Sequence, residues 1–259
     1  MHSLVPCFRT RYSSKSRGGG VKKYLCIGSS ISNLIASSQL AQHSEVHLIE
    51  IHAEVGMPTS QPGFVNDMEL LSPYLDEEQL KFLRPHANEP GWGLRSEWLT
   101  KHLAMNAAQQ GVIIHTKTRI TSILPKGDQF VVEFQGGGPT PRSNLTFDHI
   151  IDASMCVPEA PGNLHHTIDP KLEIYTALKD STLWFGGTAL TTDCAELGTD
   201  VWTFNRAEGL AEVWFEGEPT WEPKHGWIEQ VRSNLSSNPT QRTIDAQVLI
   251  GLQISEAFA

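Results

Sequence analysis

Tyr24-Leu-Cys-Ile-Gly-Ser-Ser-Ile-Ser-Asn33, followed after a helical stretch by Val46-His-Leu-Ile-Glu50, decides the reading of the fold. The apolar run Tyr24 to Ile27 ends at Gly28, as a buried parallel strand does. Ile31, Leu34, Ile35 and Leu40 then recur at helical spacing, with Ala36, Ser37, Ser38 and Ala41 between them. Such a face, rich in small residues, can lie close against a sheet. Val46 to Glu50 reads as a second strand, which completes a β-α-β unit of about 30 residues. The turn between strand and helix occupies the place of the G-x-G-x-x-G nucleotide fingerprint, whose glycines allow a tight turn, close approach of a pyrophosphate and helix-on-strand packing. Only Gly28 is kept; Ser30 and Asn33 hold the other two places. Ser30 is small and carries a hydroxyl suited to phosphate, whereas Asn33 puts a side chain where helix and strand meet. The helix N-terminus still offers amide N–H groups and a positive dipole end. Glu50 lies 22 residues beyond Gly28, where an acid accepts hydrogen bonds from ribose hydroxyls and favours NAD over NADP. The competing reading is a β-α-β unit that binds no nucleotide and ends in an ordinary surface glutamate.

Outward from this unit, Val55-Gly-Met-Pro-Thr-Ser-Gln-Pro-Gly63 reads as a loop, with two prolines and two glycines. Asp76 to Phe82 suggests a short helix, and Pro85 to Gly93 a second loop. Ser96 is read as an N-cap, before Leu99, Leu103 and Ala107 at helical spacing and Gly111 as the stop. Val112 to Thr116, Arg119 to Leu124 and Gln129 to Phe134 read as strands. A Gly136-Gly-Gly-Pro turn and one further strand, Leu145 to Ile151, lead to Asp152-Ala-Ser154. From Pro158 onward short aromatic runs recur, and five of the seven tryptophans lie at or beyond Trp184. One helix is expected there, near Trp227 to Leu235. The expected organisation is a basic segment over 1–20, a nucleotide-binding domain over 21–157 and a β-rich substrate or cap domain over 158–259.

In four pieces the region from Lys23 to Ser154 resembles the FAD-dependent reductases and monooxygenases, especially geranylgeranyl-reductase-like members. The first is the β-α-β unit ending in Glu50, and the second is Val55-Gly-Met-Pro58 with Pro62-Gly-Phe-Val65. The third is Gly93-Leu-Arg95-Ser-Glu-Trp-Leu99 and its continuation to Gly111, and the fourth is His149-Ile-Ile-Asp-Ala-Ser154. The resemblance implies an α/β fold, a Rossmann-type FAD or NAD(P)-binding unit with an appended β-rich substrate layer. It also implies an FAD-dependent oxidoreductase acting on a hydrophobic or aromatic small molecule. Carried over by residue, Gly28, Ser29 and Ser30 would line the pyrophosphate turn, and Glu50 would meet the ribose. Arg95 would lie beside the cofactor or its phosphates, and Ala153 and Ser154 would pass close to the FAD. The chain departs from the family in its incomplete glycine fingerprint, in lacking a cysteine near Ser60 to Pro62, and in having no Gly-Asp motif after Ala160. Those departures favour an alternative from another class, a non-catalytic relative serving as a binding or assembly protein. A third reading is an NAD-binding protein that uses the β-α-β unit alone.

Bulk properties narrow the classes further. At 259 residues, with 39% hydrophobic and 19% charged residues, the chain is long and apolar enough to bury a full core. A formal charge of -9 argues against a nucleic-acid partner, which requires clustered Lys and Arg. No apolar run of about 18 residues is present to span a membrane. Cys7, Cys26, Cys156 and Cys194 form no CxxC pair, which excludes a zinc knuckle and suits a reducing, cytoplasmic compartment. Arg9, Arg11, Lys15, Arg17, Lys22 and Lys23 all precede the first acidic residue, Glu45, so an organellar destination is the alternative. The adjacent His165 and His166 would point to opposite faces of an extended segment, and no metal site is expected. No G-x-S-x-G nucleophile elbow occurs, and no catalytic acid or base is assigned. Trp184, Phe185, Trp202, Phe204, Trp214 and Phe215 are expected to pack as the core of the β layer, with an apolar substrate pocket as the competing role.

Overall fold

The computed structural model describes residues 20–57, 61–136, 142–153, 175–176, 180–198 and 201–258. The β-α-β unit forms as the apolar spacing requires: β1 (Lys23–Ile27), α1 (Ile31–Leu40) and β2 (Glu45–Ile49). After β2 come the two-residue strand β3 (Phe64–Val65) and helix α2 (Glu77–Phe82). Asp76 caps α2 in a reciprocal box with Gln79. The stretch Pro85 to Gly93 is not wholly loop, because β4 (His86–Ala87) and β5 (Trp92–Gly93) pair with each other and β5 pairs with β3. Helix α3 (Ser96–Gln109) begins at Ser96 itself, with Arg95 at the cap position. The Ser96 hydroxyl instead donates to the Gln61 carbonyl at 2.8 Å, so it ties the helix to the preceding loop.

Strand β6 (Ile113–His115) is followed by three antiparallel strands, β7 (Thr118–Lys126), β8 (Gln129–Gly136) and β9 (Arg142–Phe147). The run expected to be one strand from Leu145 to Ile151 divides at Asp148. Its first part ends β9, and its second is β10 (His149–Asp152), which belongs to a different sheet. With β11 (Tyr175–Thr176) the parallel sheet runs, among the described residues, in the order β11-β10-β1-β2-β6.

Period-two alternation along β1 explains how this sheet is covered. Tyr24 and Cys26 face a core shared with Ile31, Leu34, Ile35, Leu99 and Leu103, whereas Leu25 and Ile27 face Ile120, Val132, Phe134 and Phe147. Helices therefore cover one face and the β7-β8-β9 meander the other, and β1 reads as an unbroken apolar run because both its faces are buried.

Beyond the parallel sheet, β12 (Ser181–Leu190), β13 (Trp202–Arg206), β14 (Leu210–Glu216) and β15 (Glu229–Ser236) form an antiparallel sheet ordered β13-β14-β12-β15. The helix expected near Trp227 to Leu235 is absent, and β15 takes its place. Val231, Ser233 and Leu235 alternate toward one side and pair with Gly186, Trp184 and Thr182 of β12, so ladder pairing overrides any helical spacing. The expected aromatic core is present: Trp184, Phe204 and Trp214 pack with Phe64 on one face, and Phe185 and Phe215 pack on the other, with Trp202 partly buried against the first.

A terminal helix, α4 (Ile244–Phe258), packs across α1. The approach is close enough that a Cβ on Gly251 would stand 2.6 Å from the Ser32 carbonyl oxygen. The α4 N-terminus is anchored by Asp245, whose carboxylate accepts from the backbone N–H groups of Asn66 at 2.7 Å and Asp67 at 2.8 Å. No helix among the described residues is long and apolar enough to cross a membrane.

Candidate functional site

Gly28 adopts φ 83°, a left-handed conformation that suits glycine, and lets the chain turn sharply from β1 into α1. Its N–H donates to the Ile49 carbonyl at 2.9 Å, so the turn is held against the end of β2. On the other side the Ala153 N–H donates to the Ile27 carbonyl at 3.2 Å. Gly28, Ser29, Ser30, Glu50 and Ala153 are thus gathered at the carboxyl edge of the parallel sheet, the edge at which open α/β sheets bind ligands. Ser154 lies outside the described residues, as do Cys156, His165, His166 and the middle of the Gly136 turn.

Ser30 is the N-cap of α1: its hydroxyl accepts from the Asn33 N–H at 3.3 Å and bonds to the Ser32 hydroxyl at 3.1 Å. Asn33 does not disrupt the junction of helix and strand. It is fully buried, and its Nδ2 donates to the carbonyls of Ile27 at 2.9 Å and Gly28 at 2.6 Å. Its Oδ1 is buried with no hydrogen-bond partner among the described residues.

Glu50 is not an ordinary surface glutamate, because only 4% of it is exposed. One carboxylate oxygen accepts from the Ser29 N–H at 3.1 Å and hydroxyl at 2.5 Å. The other accepts from the His52 N–H at 3.0 Å and is paired with His52 Nδ1 at 2.7 Å. Burial pushes this carboxyl upward, but the bonds from His52 and Ser29, with the His52 charge, outweigh it and leave the group below the usual carboxylate range. The placement suits a nucleotide: a helix N-terminus, a glycine turn and an acid at the end of the second strand. In the described conformation, however, the acid's acceptor sites are taken by this chain's own donors.

Arg95 stands at the cap position of α3. Its Nε donates to Glu97 at 2.5 Å and its guanidinium lies over Trp98, 5.2 Å from the ring centroid. Glu97 belongs to a buried network that also contains Arg206 and Glu212, each 2% exposed. Arg206 reaches Glu212 at 3.0 Å and Glu97 at 3.4 Å. Glu212 also accepts from the Gly63 N–H and from Trp214 Nε1, both at 3.0 Å. Burial drives the Glu212 carboxyl above its ordinary range in spite of Arg206 and these donors. The network joins the start of α3 and the loop before β3 to the antiparallel sheet. Sequence reasoning missed it. The only signal was a charged residue on either side of the turn between β13 and β14, Arg206 and Glu212, whose burial depends on packing that the sequence does not display.

Beside Glu212 a pocket of about 140 Å³ opens on the sheet face that carries Gly186, Thr188, Trp214 and Val231. Met57, from the loop that follows Glu50, contributes to its wall. That volume is close to the size of cavity that holds a single benzene ring. A Cβ on Gly186 would come 2.4 Å from the Trp214 ring, so the glycine is what lets the indole lie against the strand. Among the described residues no group of three or more His, Cys, Asp or Glu is arranged to hold a metal ion.

No family model matches the chain, and no curated protein sequence does. Solved structures do. A geranylgeranyl bacteriochlorophyll reductase-like protein from Thermoplasma acidophilum superimposes with a TM-score of 0.62 at 15% identity, over 92% of this chain and 79% of that one. The p-nitrophenol 4-monooxygenase PnpA of Pseudomonas putida gives 0.60 at 10% identity, over 91% and 79%. A variant of the halogenase PltM, solved in complex with FAD, gives 0.55 at 14% identity, over 92% and 70%. At such identities the likeness speaks for architecture alone, and on that ground the chain has the α/β fold of the Rossmann-type flavoproteins.

Proposed function

We propose that this chain is an FAD-dependent oxidoreductase acting on a hydrophobic or aromatic small molecule. The observation that carries the reading is the gathering of Gly28, the α1 N-terminus and Glu50 at the carboxyl edge of a parallel sheet, within a fold shared with an FAD-bound halogenase, a monooxygenase and a reductase-like protein. Gly28, Ser29 and Ser30 would meet the diphosphate, Glu50 the ribose, and Ala153 and Ser154 would pass close to the cofactor. Arg95 is assigned to the same side, its guanidinium oriented by Glu97. FAD supplies the redox chemistry when bound, and the protein's part is to orient it and to exclude water. Trp214, Val231 and Met57 give the apolar wall against which a substrate ring would pack. In this reading residues 21–157 hold the nucleotide and residues 158–259 cover the substrate.

A second reading, a non-catalytic relative that keeps the fold for binding or assembly, is favoured by one observation: Glu50 is already fully engaged by Ser29 and His52. A single experiment separates the two. The full chain is purified and desalted, its visible spectrum recorded, and FAD and NAD⁺ are each titrated by calorimetry. Flavin absorption that persists through desalting, or saturable uptake of added FAD, supports the oxidoreductase. A colourless protein that takes up neither nucleotide overturns it, and uptake of NAD⁺ alone points to a nicotinamide-binding protein.

A further inference from the structure

A carboxylate has about four lone-pair sites, two on each oxygen. All four of Glu50 are occupied in this chain. Ser29 N–H and Oγ–H sit on one oxygen at 3.1 and 2.5 Å, and His52 N–H and Nδ1 on the other at 3.0 and 2.7 Å. The two donors on each oxygen differ in kind. The backbone N–H groups cannot leave unless the Gly28 turn or the corner after β2 moves. The side-chain donors can leave, because Ser29 is only partly buried and the His52 side chain is 31% exposed, so both can turn toward solvent. A vicinal diol offers two O–H donors, one to each carboxylate oxygen, in place of those two side-chain donors.

We propose that Ser29 and His52 form a latch over Glu50, which a nucleotide ribose must displace, and that His52 thereby sets the affinity of the chain for nucleotides. The inference rests on the nucleotide reading of the site given above. It also gives that reading a chain-specific feature: ribose recognition exchanges two existing hydrogen bonds for two new ones and so gains little from Glu50. Binding then depends mainly on the diphosphate at the α1 N-terminus. Removing one latch donor opens that lone pair to water, which the ribose hydroxyl displaces without first breaking a bond within the chain.

The test is a set of calorimetric titrations with FAD, ADP and inorganic pyrophosphate against the wild-type chain, His52→Ala, Ser29→Ala and His52→Asn. ADP carries the ribose diol, whereas pyrophosphate can touch only the turn. The expected result is that His52→Ala binds FAD and ADP about tenfold more tightly than wild type, the equivalent of one modest hydrogen bond. Pyrophosphate binding is unchanged, and His52→Asn, which keeps a short side-chain donor, stays near the wild-type value. Ser29→Ala shifts ADP in the same direction as His52→Ala. Thermal unfolding of each variant shows that it is folded under the titration conditions. If wild type binds ADP and His52→Ala binds it no more tightly, the latch is wrong and the nucleotide reading stands. Equal tightening for pyrophosphate refutes the ribose assignment. If neither FAD nor ADP binds to any of the four proteins, the nucleotide reading fails and the latch fails with it.

Discussion

Arg206→Met tests the buried network more severely than any other single change. The guanidinium is 2% exposed and is shared between Glu212 at 3.0 Å and Glu97 at 3.4 Å, with Thr188 Oγ1 at 3.3 Å. Methionine preserves much of the side chain's length and apolar volume, so the change isolates the charge. Breaking a buried pair by removing one partner costs about 3–5 kcal/mol, since the remaining charge is left uncompensated. Two considerations pull in opposite directions here. Two carboxylates lose their counter-ion, which raises the cost, yet each keeps other donors, Arg95 for Glu97 and Gly63 N–H with Trp214 Nε1 for Glu212. A loss of about 4 kcal/mol is therefore expected at neutral pH. For a chain of this size that corresponds to a fall in Tm of roughly 8–16 °C.

The pH dependence gives the experiment its discriminating power. The folded pKa of Glu212 is raised above its ordinary value of 4.5, so between those two values the folded state binds more protons than the unfolded state. In that window stability falls as pH rises. Removing Arg206 widens the window, because Glu212 can then escape its unpaired charge only by holding a proton. The deficit of Arg206→Met should accordingly be larger at about pH 7.5 than at about pH 5, and the double variant Arg206→Met with Glu212→Gln should recover a substantial part of it. Urea unfolding at the two pH values reads all of this. A single variant within about 1 kcal/mol of wild type at both would refute the claim that these charges depend on one another.

Other consequences of the packing are open to simpler assays. The pKa of His115 is lowered by burial and by the His47 charge, and that of His149 by burial and by Lys22, so both fold as neutral imidazoles. Their contribution is complete above the unfolded value of 6.5 and is lost as pH falls through it toward the depressed folded values. The urea midpoint should drop over that range, and His115→Gln should flatten the drop. Gly186→Ala would place a methyl 2.4 Å from the Trp214 ring, and an overpacking cost of about 1–3 kcal/mol with altered tryptophan emission is expected. The Cys26 thiol, fully buried and pushed up to about 12 by burial, should resist alkylation in the native chain and react once urea unfolds it. Site-resolved mass spectrometry distinguishes it from the other cysteines.

What the sequence revealed depended on how local its physics was. The β1-α1-β2 unit was legible because strand, turn and helix each announce themselves within a few residues, and because both faces of β1 are buried. The short helix from Asp76 to Phe82 was legible for the same reason, and the structure adds the cap that Asp76 and Gln79 form across three residues. Where the outcome depended on distant partners, the reading failed. Glu229 to Ser236 carries no strong strand signature of its own, and β12 draws it into a ladder from 40 or more residues away. Asp148 divides what reads as one strand, because its carboxylate accepts from the Lys23 N–H at 2.7 Å and the flanking residues join different sheets. At the candidate site the positions of Gly28, Ser30 and Glu50 were readable. The donors that saturate Glu50 were not, although His52 lies only two residues on, because a corner rather than a strand brings the imidazole back.

Asn33 is the sharpest instance of a misread local signal. By fingerprint logic a side chain there wedges helix from strand, and a glycine should be better. The geometry argues the reverse. Its Nδ2 donates to two carbonyls, Ile27 at 2.9 Å and Gly28 at 2.6 Å, in a site with no exposure at all. The amide thus holds from the side a turn that the usual glycines adopt by lacking a Cβ. Restoring the motif with Asn33→Gly removes two hydrogen bonds worth about 0.5–1.5 kcal/mol each, so a net loss of about 2 kcal/mol is expected. Asn33→Asp separates two physical terms. In the first turn of a helix an acid gains about 0.3–1 kcal/mol from the dipole, which would make this variant the more stable of the two. Here the carboxylate would instead face two buried carbonyl oxygens with no donor between them, and repulsion of that kind in a desolvated site exceeds the dipole gain. Asn33→Asp should therefore unfold at lower urea than Asn33→Gly, and both at lower urea than wild type. If Asn33→Gly proved the most stable of the three, the side chain would be a tolerated intruder after all.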